Sequence, residues 1–176
     1  MKLTLAITGA SGTRLATKFI EYLPKAIELH LIATDHAKIV ASLEERENLT
    51  IHNNKNIGAS IASGSFGVDA MAIIPCSMNT LAKISCGIAD NLVTRSASVM
   101  LKEQKKLLLA PREMPFSAIP LENMLKLSRL NVIISPPIMG YYAESNTIEE
   151  MEKFIIGKWY DSLGIENDLY KRWSER

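Results

Sequence analysis

A chain of 176 residues that is 47% apolar and 22% charged is long enough for one full hydrophobic core and too apolar to stay disordered. Twenty Lys and Arg against nineteen Asp and Glu leave a formal charge of +1, which excludes the global basic field of a nucleic-acid binder and the acidic tail of a solvating segment. Cys76 and Cys86 are too few for a disulfide framework, and no run approaches the ~18 apolar residues of a membrane span, so a cytoplasmic domain with reduced thiols is expected.

Residues 3–8 form a short apolar run closed by Gly9-Ala10-Ser11-Gly12, a strand entering a turn. Residues 13–23 place Leu15, Phe19 and Leu23 four apart on one helical face, and Pro24 ends that helix. A second strand is expected over 29–33, then a helix over 34–47 with Ile39, Val40 and Leu43 inward. Residues 48–67 are polar, with a short helix expected near 57–61; connections of this length often carry function. A third strand over 71–74 is broken by Pro75-Cys76-Ser77, and a helix follows around 80–84. Asp90 is placed to cap the next helix, expected to run to about residue 105. A fourth strand over 107–110 ends in Pro111-Arg112-Glu113-Met114-Pro115, and Pro120 suits the first turn of a helix over 121–130. A fifth strand over 132–135 precedes Pro136-Pro137, and the last long helix covers 147–163. A charged tail at about 164–176 holds Trp173.

Continuous apolar strands alternating with amphipathic helices are what a parallel sheet covered on both faces requires. The expected fold is therefore α/β: a three-layer, doubly wound, mainly parallel sheet, with residues 1–176 as one domain without repeat or linker. In such sheets ligands bind beyond the carboxyl ends of the strands, near the point where strand order reverses. Those ends carry Gly9-Ala10-Ser11-Gly12, then Thr34, then Ser77 to Thr80, then Arg112 and Glu113, then Gly140-Tyr141-Tyr142. Small residues, hydroxyls, an Arg-Glu pair and tyrosines together suit a phosphorylated, planar ligand.

The glycine turn is neither a Walker loop nor the Gly-x-Gly-x-x-Gly dinucleotide fingerprint, which argues against a nucleoside triphosphatase or an ordinary NAD enzyme. It is either an anion cradle of backbone N–H groups or a plain tight turn. Arg95 and Lys102, seven apart on one helix face, are either a phosphate clamp or a solvated charged face. Arg112 and Glu113 either pair locally or are fixed between prolines for a ligand. Taken alone, Glu44 is a surface residue, Cys76 and Trp159 are packing residues, and His30, His36 and His52 lack metal-ligand spacing with the cysteines. The residues alone lead to a phospholigand-binding α/β domain.

Several segments occur in a telling order: Thr8-Gly9-Ala10-Ser11-Gly12, Ser63-Gly64-Ser65, Pro75-Cys76-Ser77, Arg95 through Lys102-Glu103, Pro111-Arg112-Glu113-Met114-Pro115, Leu121-Glu122-Asn123-Met124-Leu125, Tyr141-Tyr142 and Leu163-Gly164-Ile165. Together they resemble the UbiX-type flavin prenyltransferases over essentially the whole chain. The Pro-Arg-Glu-x-Pro block with Leu-Glu-Asn-Met-Leu is the most specific part. The resemblance implies a flavodoxin-like or Rossmann-like flavoprotein that binds FMN and assembles as a homododecamer with sites at subunit junctions. It implies transfer of a dimethylallyl group from dimethylallyl monophosphate to N5 and C6 of reduced FMN, without a metal. The prenylated FMN then serves a UbiD-type decarboxylase, for example in ubiquinone synthesis.

By the same resemblance Gly9, Ala10 and Ser11 meet the FMN phosphate and ribityl region, with Thr34 where the family usually has Ser. Ser77, Met78, Asn79 and Thr80 match the second flavin turn, and Arg112 also contacts flavin. Tyr142 and Lys158 match the dimethylallyl phosphate ligands, with Arg95, Lys102 and Glu113 around the same phosphate. Lys158 stands where arginine is common and Ile57 where some relatives have Trp, while Trp173 matches a tail tryptophan that covers the site. Lys102, Glu113, Ser11 and Glu44 are the candidate catalytic residues: Lys102 for charge on the leaving phosphate, Glu113 for a proton, and Ser11 with Glu44 for the proton lost at ring closure, with released phosphate as the alternative base. An alternative is an FMN-dependent peptidyl-cysteine or phosphopantothenoylcysteine decarboxylase, which Asn79 and Thr80 also resemble. That family needs a histidine for which His36 and His52 are badly placed, and a cysteine region with no match. A non-catalytic flavin carrier would need the turns but not Arg95, Lys102, Glu113, Tyr142 and Lys158 together.

Overall fold

A computed structural model describes residues 1–33, 46–141 and 145–173. The elements in chain order are β1 (Lys2–Ile7), α1 (Thr13–Tyr22), β2 (Glu28–Ala33), β3 (Leu49–Asn53), two 3-10 turns (Ser60–Ala62 and Gly64–Phe66), β4 (Ala70–Cys76), α2 (Met78–Ser85), α3 (Leu92–Lys102), β5 (Lys106–Pro111), α4 (Ala118–Ser128), β6 (Ile133–Ile134) and α5 (Ile148–Leu163). The six strands form one sheet in the order β3-β2-β1-β4-β5-β6, and every neighbouring pair is parallel. This is the doubly wound α/β fold expected from the strand and helix alternation.

The period of two in β1 divides the interior into two cores. Leu3, Leu5 and Ile7 face α1 and α5, where they meet Phe19, Ile156, Trp159 and Tyr160. Ala6 faces the other way, into a core with Ile73, Leu81, Leu92, Val93 and Leu109. Every residue of β4 is buried, as a central strand covered on both faces must be. Across the first core, the Tyr160 hydroxyl donates to the Phe19 carbonyl while the two rings meet edge to face at 4.7 Å.

Three details differ from the sequence expectations. β3 falls within the polar stretch over 48–67: it is an edge strand with Ile51 45% exposed, so it lacks the apolar run that marks the inner strands. Asn91, not Asp90, caps α3, accepting from Thr94 N–H in a capping box, while Asp90 pairs with Lys83. α3 also stops at Lys102, because Gln104 turns to φ +53 and Lys105 N–H returns to the Met100 carbonyl. The helix expected over 34–47 lies, but for its last two positions, outside the described residues. No helix among the described residues is long and apolar enough to cross a membrane.

Candidate active site

Strand order reverses between β1 and β4, so the crevice opens at their carboxyl ends. β1 leaves the sheet through Thr8 into the glycine turn, where Gly12 takes φ +109 as the N-cap of α1, a conformation L side chains rarely adopt. No side chain caps α1; Leu15 N–H donates to the Gly12 carbonyl at 3.0 Å, and the N–H groups before it face the end of the helix where an anion is favoured. A Cβ on Gly9 would meet nothing within 4 Å, so the turn is open above it, and Ser11 is exposed beside it.

The second turn follows β4. The Ser77 hydroxyl accepts from Thr80 N–H at 3.2 Å and donates to Thr80 Oγ1 at 3.0 Å, which fixes both hydroxyls at the start of α2. Met78 and Asn79 occupy the first turn of that helix, with Asn79 exposed. β5 ends at Pro111, and Arg112 N–H donates to the Cys76 carbonyl at 3.3 Å, drawing the β5 exit against β4. The Arg112 side chain then crosses the glycine turn, its Cδ 3.5 Å from where a Cβ on Gly12 would stand. Three strand ends therefore converge on one floor, with a guanidinium beside the anion-ready turn. Glu113 is exposed and accepts from Met114 N–H at 3.2 Å, a local bond within the same loop.

A second space lies past β6. Residues 135–140 run beside α5 and enclose a cavity of about 360 Å³ walled by Ile134, Pro136, Met139, Phe154 and Trp159, with Lys158 as its single charged lining residue among those described. Gly140 is required there, since a Cβ would fall inside contact distance of the Phe154 ring. Trp159 packs, as expected, and its Nε1–H donates to the Ser135 carbonyl at 3.0 Å.

Arg95 and Lys102 do not meet. Asn54, just past the carboxyl end of β3, accepts from Leu92 N–H at 2.8 Å and, through Oδ1, from Val93 N–H at 3.0 Å. α3 thus starts at the crevice end of the sheet with Arg95 exposed in its first turns, and Lys102 emerges about 10 Å further along the axis. At that far end Lys102 pairs with Glu103 at 3.1 Å, and the Glu103 carboxylate lies against Gly64, near Phe66 whose carbonyl accepts from Lys2 at the start of β1. Within one chain Lys102 is at the opposite edge of the sheet from Ser77 and Arg112. Thr34, Glu44 and Tyr142 lie outside the described residues. Cys76 is fully buried and its thiol is pushed up to about 12 by that burial, so it packs rather than reacts. One residue without an expected role does touch the floor: Thr8, whose hydroxyl joins the first turn to the second. Only the β1–β4 pairing reveals this contact.

A doubly wound sheet with a glycine turn, a hydroxyl turn and an arginine at its switch point is an α/β domain built to bind a ligand at the carboxyl ends of its strands. The Flavoprotein family model matches residues 1–159. A protein of Helicobacter pylori named flavin prenyltransferase UbiX is 56% identical over 98% of this chain and 98% of its own length. The crystal structure of a dodecameric FMN-dependent UbiX-like decarboxylase from Escherichia coli O157:H7 superposes with a TM-score of 0.91 at 39% identity, covering 99% of this chain and 100% of that one. AnUbiX (PadA1), in complex with FMN and dimethylallyl pyrophosphate, gives 0.88 at 33% identity over 99% and 98%. The chain belongs to the UbiX family of flavin prenyltransferases. The peptidyl-cysteine decarboxylase EpiD, at 21% identity and a TM-score of 0.61, shares the fold alone.

Proposed function

We propose that this chain is a flavin prenyltransferase of the cytoplasm, moving a dimethylallyl group from dimethylallyl monophosphate to N5 and C6 of reduced FMN for use by a UbiD-type decarboxylase. The observation that carries this is the pairing of two different spaces at one edge of the sheet. A polar floor from β1, β4 and β5 suits a planar phosphorylated cofactor, and an apolar cavity with the single cation Lys158 suits an allyl phosphate. A non-catalytic carrier needs the first and has no use for the second.

The floor fits FMN by its donors: open backbone at Gly9, the exposed hydroxyl of Ser11, the fixed hydroxyls of Ser77 and Thr80, and the Arg112 guanidinium over Gly12. Gly9, Ala10 and Ser11 would hold phosphate and ribityl, and Ser77, Met78, Asn79, Thr80 and Arg112 the remainder, with Thr34 joining them by family resemblance. Reduced flavin, when bound, supplies an electron-rich ring as the prenyl acceptor. The protein's task is to release the allylic carbon from its phosphate. Lys158, Tyr142, Arg95 and Lys102 neutralise the charge growing on that phosphate, each preorganised donor contributing about 3–4 kcal/mol at the transition state. Glu113 moves a proton at the phosphate, and Ser11 with Glu44 accepts the one lost at ring closure. The apolar walls of the cavity hold the prenyl chain and exclude water.

Because Lys102 stands at the far edge of its own sheet, its contribution would be made to a neighbouring chain, as in a homododecamer with sites at subunit junctions. Exposed apolar residues beside the crevice, Met114 at 91% and Ile119 at 71%, support burial against other copies. Residues 1–176 act in this reading as one FMN-binding domain with a C-terminal tail.

Under anaerobic, metal-free conditions, the protein with reduced FMN and dimethylallyl monophosphate should release inorganic phosphate, and in a separate assay with oxidised FMN a cysteine-terminated peptide should yield no carbon dioxide. Carbon dioxide without phosphate release would instead assign the decarboxylase chemistry.

A further inference from the structure

The base of the crevice is crossed by a side chain that prenyl transfer itself does not employ. Thr8 follows directly on β1 and is 5% exposed. Its hydroxyl donates to the Pro75 carbonyl at 2.9 Å and accepts from Ser77 N–H at 2.9 Å, while its own N–H donates to the same Pro75 carbonyl at 3.3 Å. These bonds stand where regular pairing fails. The β1–β4 register runs to Ala6 opposite Ile73, and β4 is irregular between Ile73 and Cys76. Beyond that point Thr8 replaces the ladder with three bonds of its own, at the place where the strand order reverses.

We propose that Thr8 is a positioning residue for the cofactor: its hydroxyl locks the turn carrying Gly9, Ala10 and Ser11 to the turn carrying Ser77 and Thr80 before FMN arrives. The role rests on the flavin-binding function given above. A ligand that spans both turns gains from both only when their spacing is already set; otherwise binding must order one turn against the other. Ser77 is the pivot, because its N–H is held by Thr8 while its hydroxyl is held by Thr80. Valine at position 8 keeps the shape of threonine and removes both side-chain bonds, leaving the Ser77 N–H without its partner. Serine keeps the hydroxyl and loses only a methyl group.

The test is a titration of FMN into the wild-type protein, Thr8→Ser and Thr8→Val, followed by flavin fluorescence at a temperature where all three are folded, with melting temperatures of the flavin-free proteins measured in parallel. Thr8→Ser should bind within about twofold of wild type and Thr8→Val at least about tenfold more weakly, since both side-chain bonds are lost. A Thr8→Val protein that melts lower yet binds FMN as wild type does would make the residue structural only and overturn the positioning role. Wild-type protein that binds no FMN would overturn the flavin function itself, and this role with it. If Thr8→Val does not fold, amide exchange at Ser77 in the flavin-free wild type decides. Protection there supports the preset turn, and exchange at the rate of a free loop overturns it.

Discussion

His30 and His52 show how two side chains that sequence spacing sets aside acquire a physical role. Their ring nitrogens lie 3.1 Å apart across β2 and β3, His30 also meets the Glu28 carboxylate at 3.1 Å, and the Phe66 ring stands edge-on to His30. Partial burial, and then the neighbouring His30, hold the His52 pKa below its ordinary value. The unfolded chain, with an ordinary histidine near 6.5, therefore binds a proton more readily than the folded one. The stability this contributes is present above about pH 6.5 and is lost as pH falls through the folded value. The melting temperature should drop between pH 7 and pH 5, and His52→Asn should flatten that part of the curve; an identical slope in the variant would show that other groups carry it. At this scale the sequence revealed what strand ends expose. Gly9, Ser77, Thr80 and Arg112 were legible because the carboxyl-end rule needs only the strand order of an α/β chain. Thr8 was not, because its hydroxyl bonds depend on an irregular stretch of β4 that no local pattern marks. Nor does the spacing of Arg95 and Lys102 tell which end of the sheet each one reaches.

Among elements, the inner strands were legible from their continuous apolar runs and β3 was not, since an edge strand with an exposed Ile51 reads as a loop. The segment after α5 is held by contacts that sequence does not display. Asp161 accepts from the Tyr170 hydroxyl, from Asn167 Nδ2 at 2.9 Å and from Arg172 at 2.8 and 3.1 Å, and the Arg172 guanidinium holds its carboxyl below the usual carboxylate range. Tyr170 lies flat enough on α5 that a Cβ on Gly157 would fall inside contact distance of its ring. Gly157→Ala therefore sets two effects against each other: about 1 kcal/mol of added helix propensity and the displacement of that ring. Displacement should win locally. Trypsin should cut at Lys171 and Arg172 several-fold faster in the variant, while the helix content stays unchanged. Equal cutting rates would mean that residues 165–173 are not held by this contact.

For the whole molecule, one chain presents a polar floor and an apolar cavity with Lys158 at the carboxyl edge of its sheet, the spaces proposed for flavin and allyl phosphate, and Lys102 at the other edge. In the proposed function that separation assigns Lys102 to the site of a neighbouring copy, a placement that a list of residues in sequence order conceals and that follows from the path of α3. The family resemblance supplied the reaction; the strand order explains why these residues suit it. The most direct measurement is the mass of the flavin extracted after anaerobic incubation of the purified protein with reduced FMN and dimethylallyl monophosphate. FMN heavier by one dimethylallyl unit is the expected result. Bound FMN recovered at its original mass would contradict prenyl transfer from this donor.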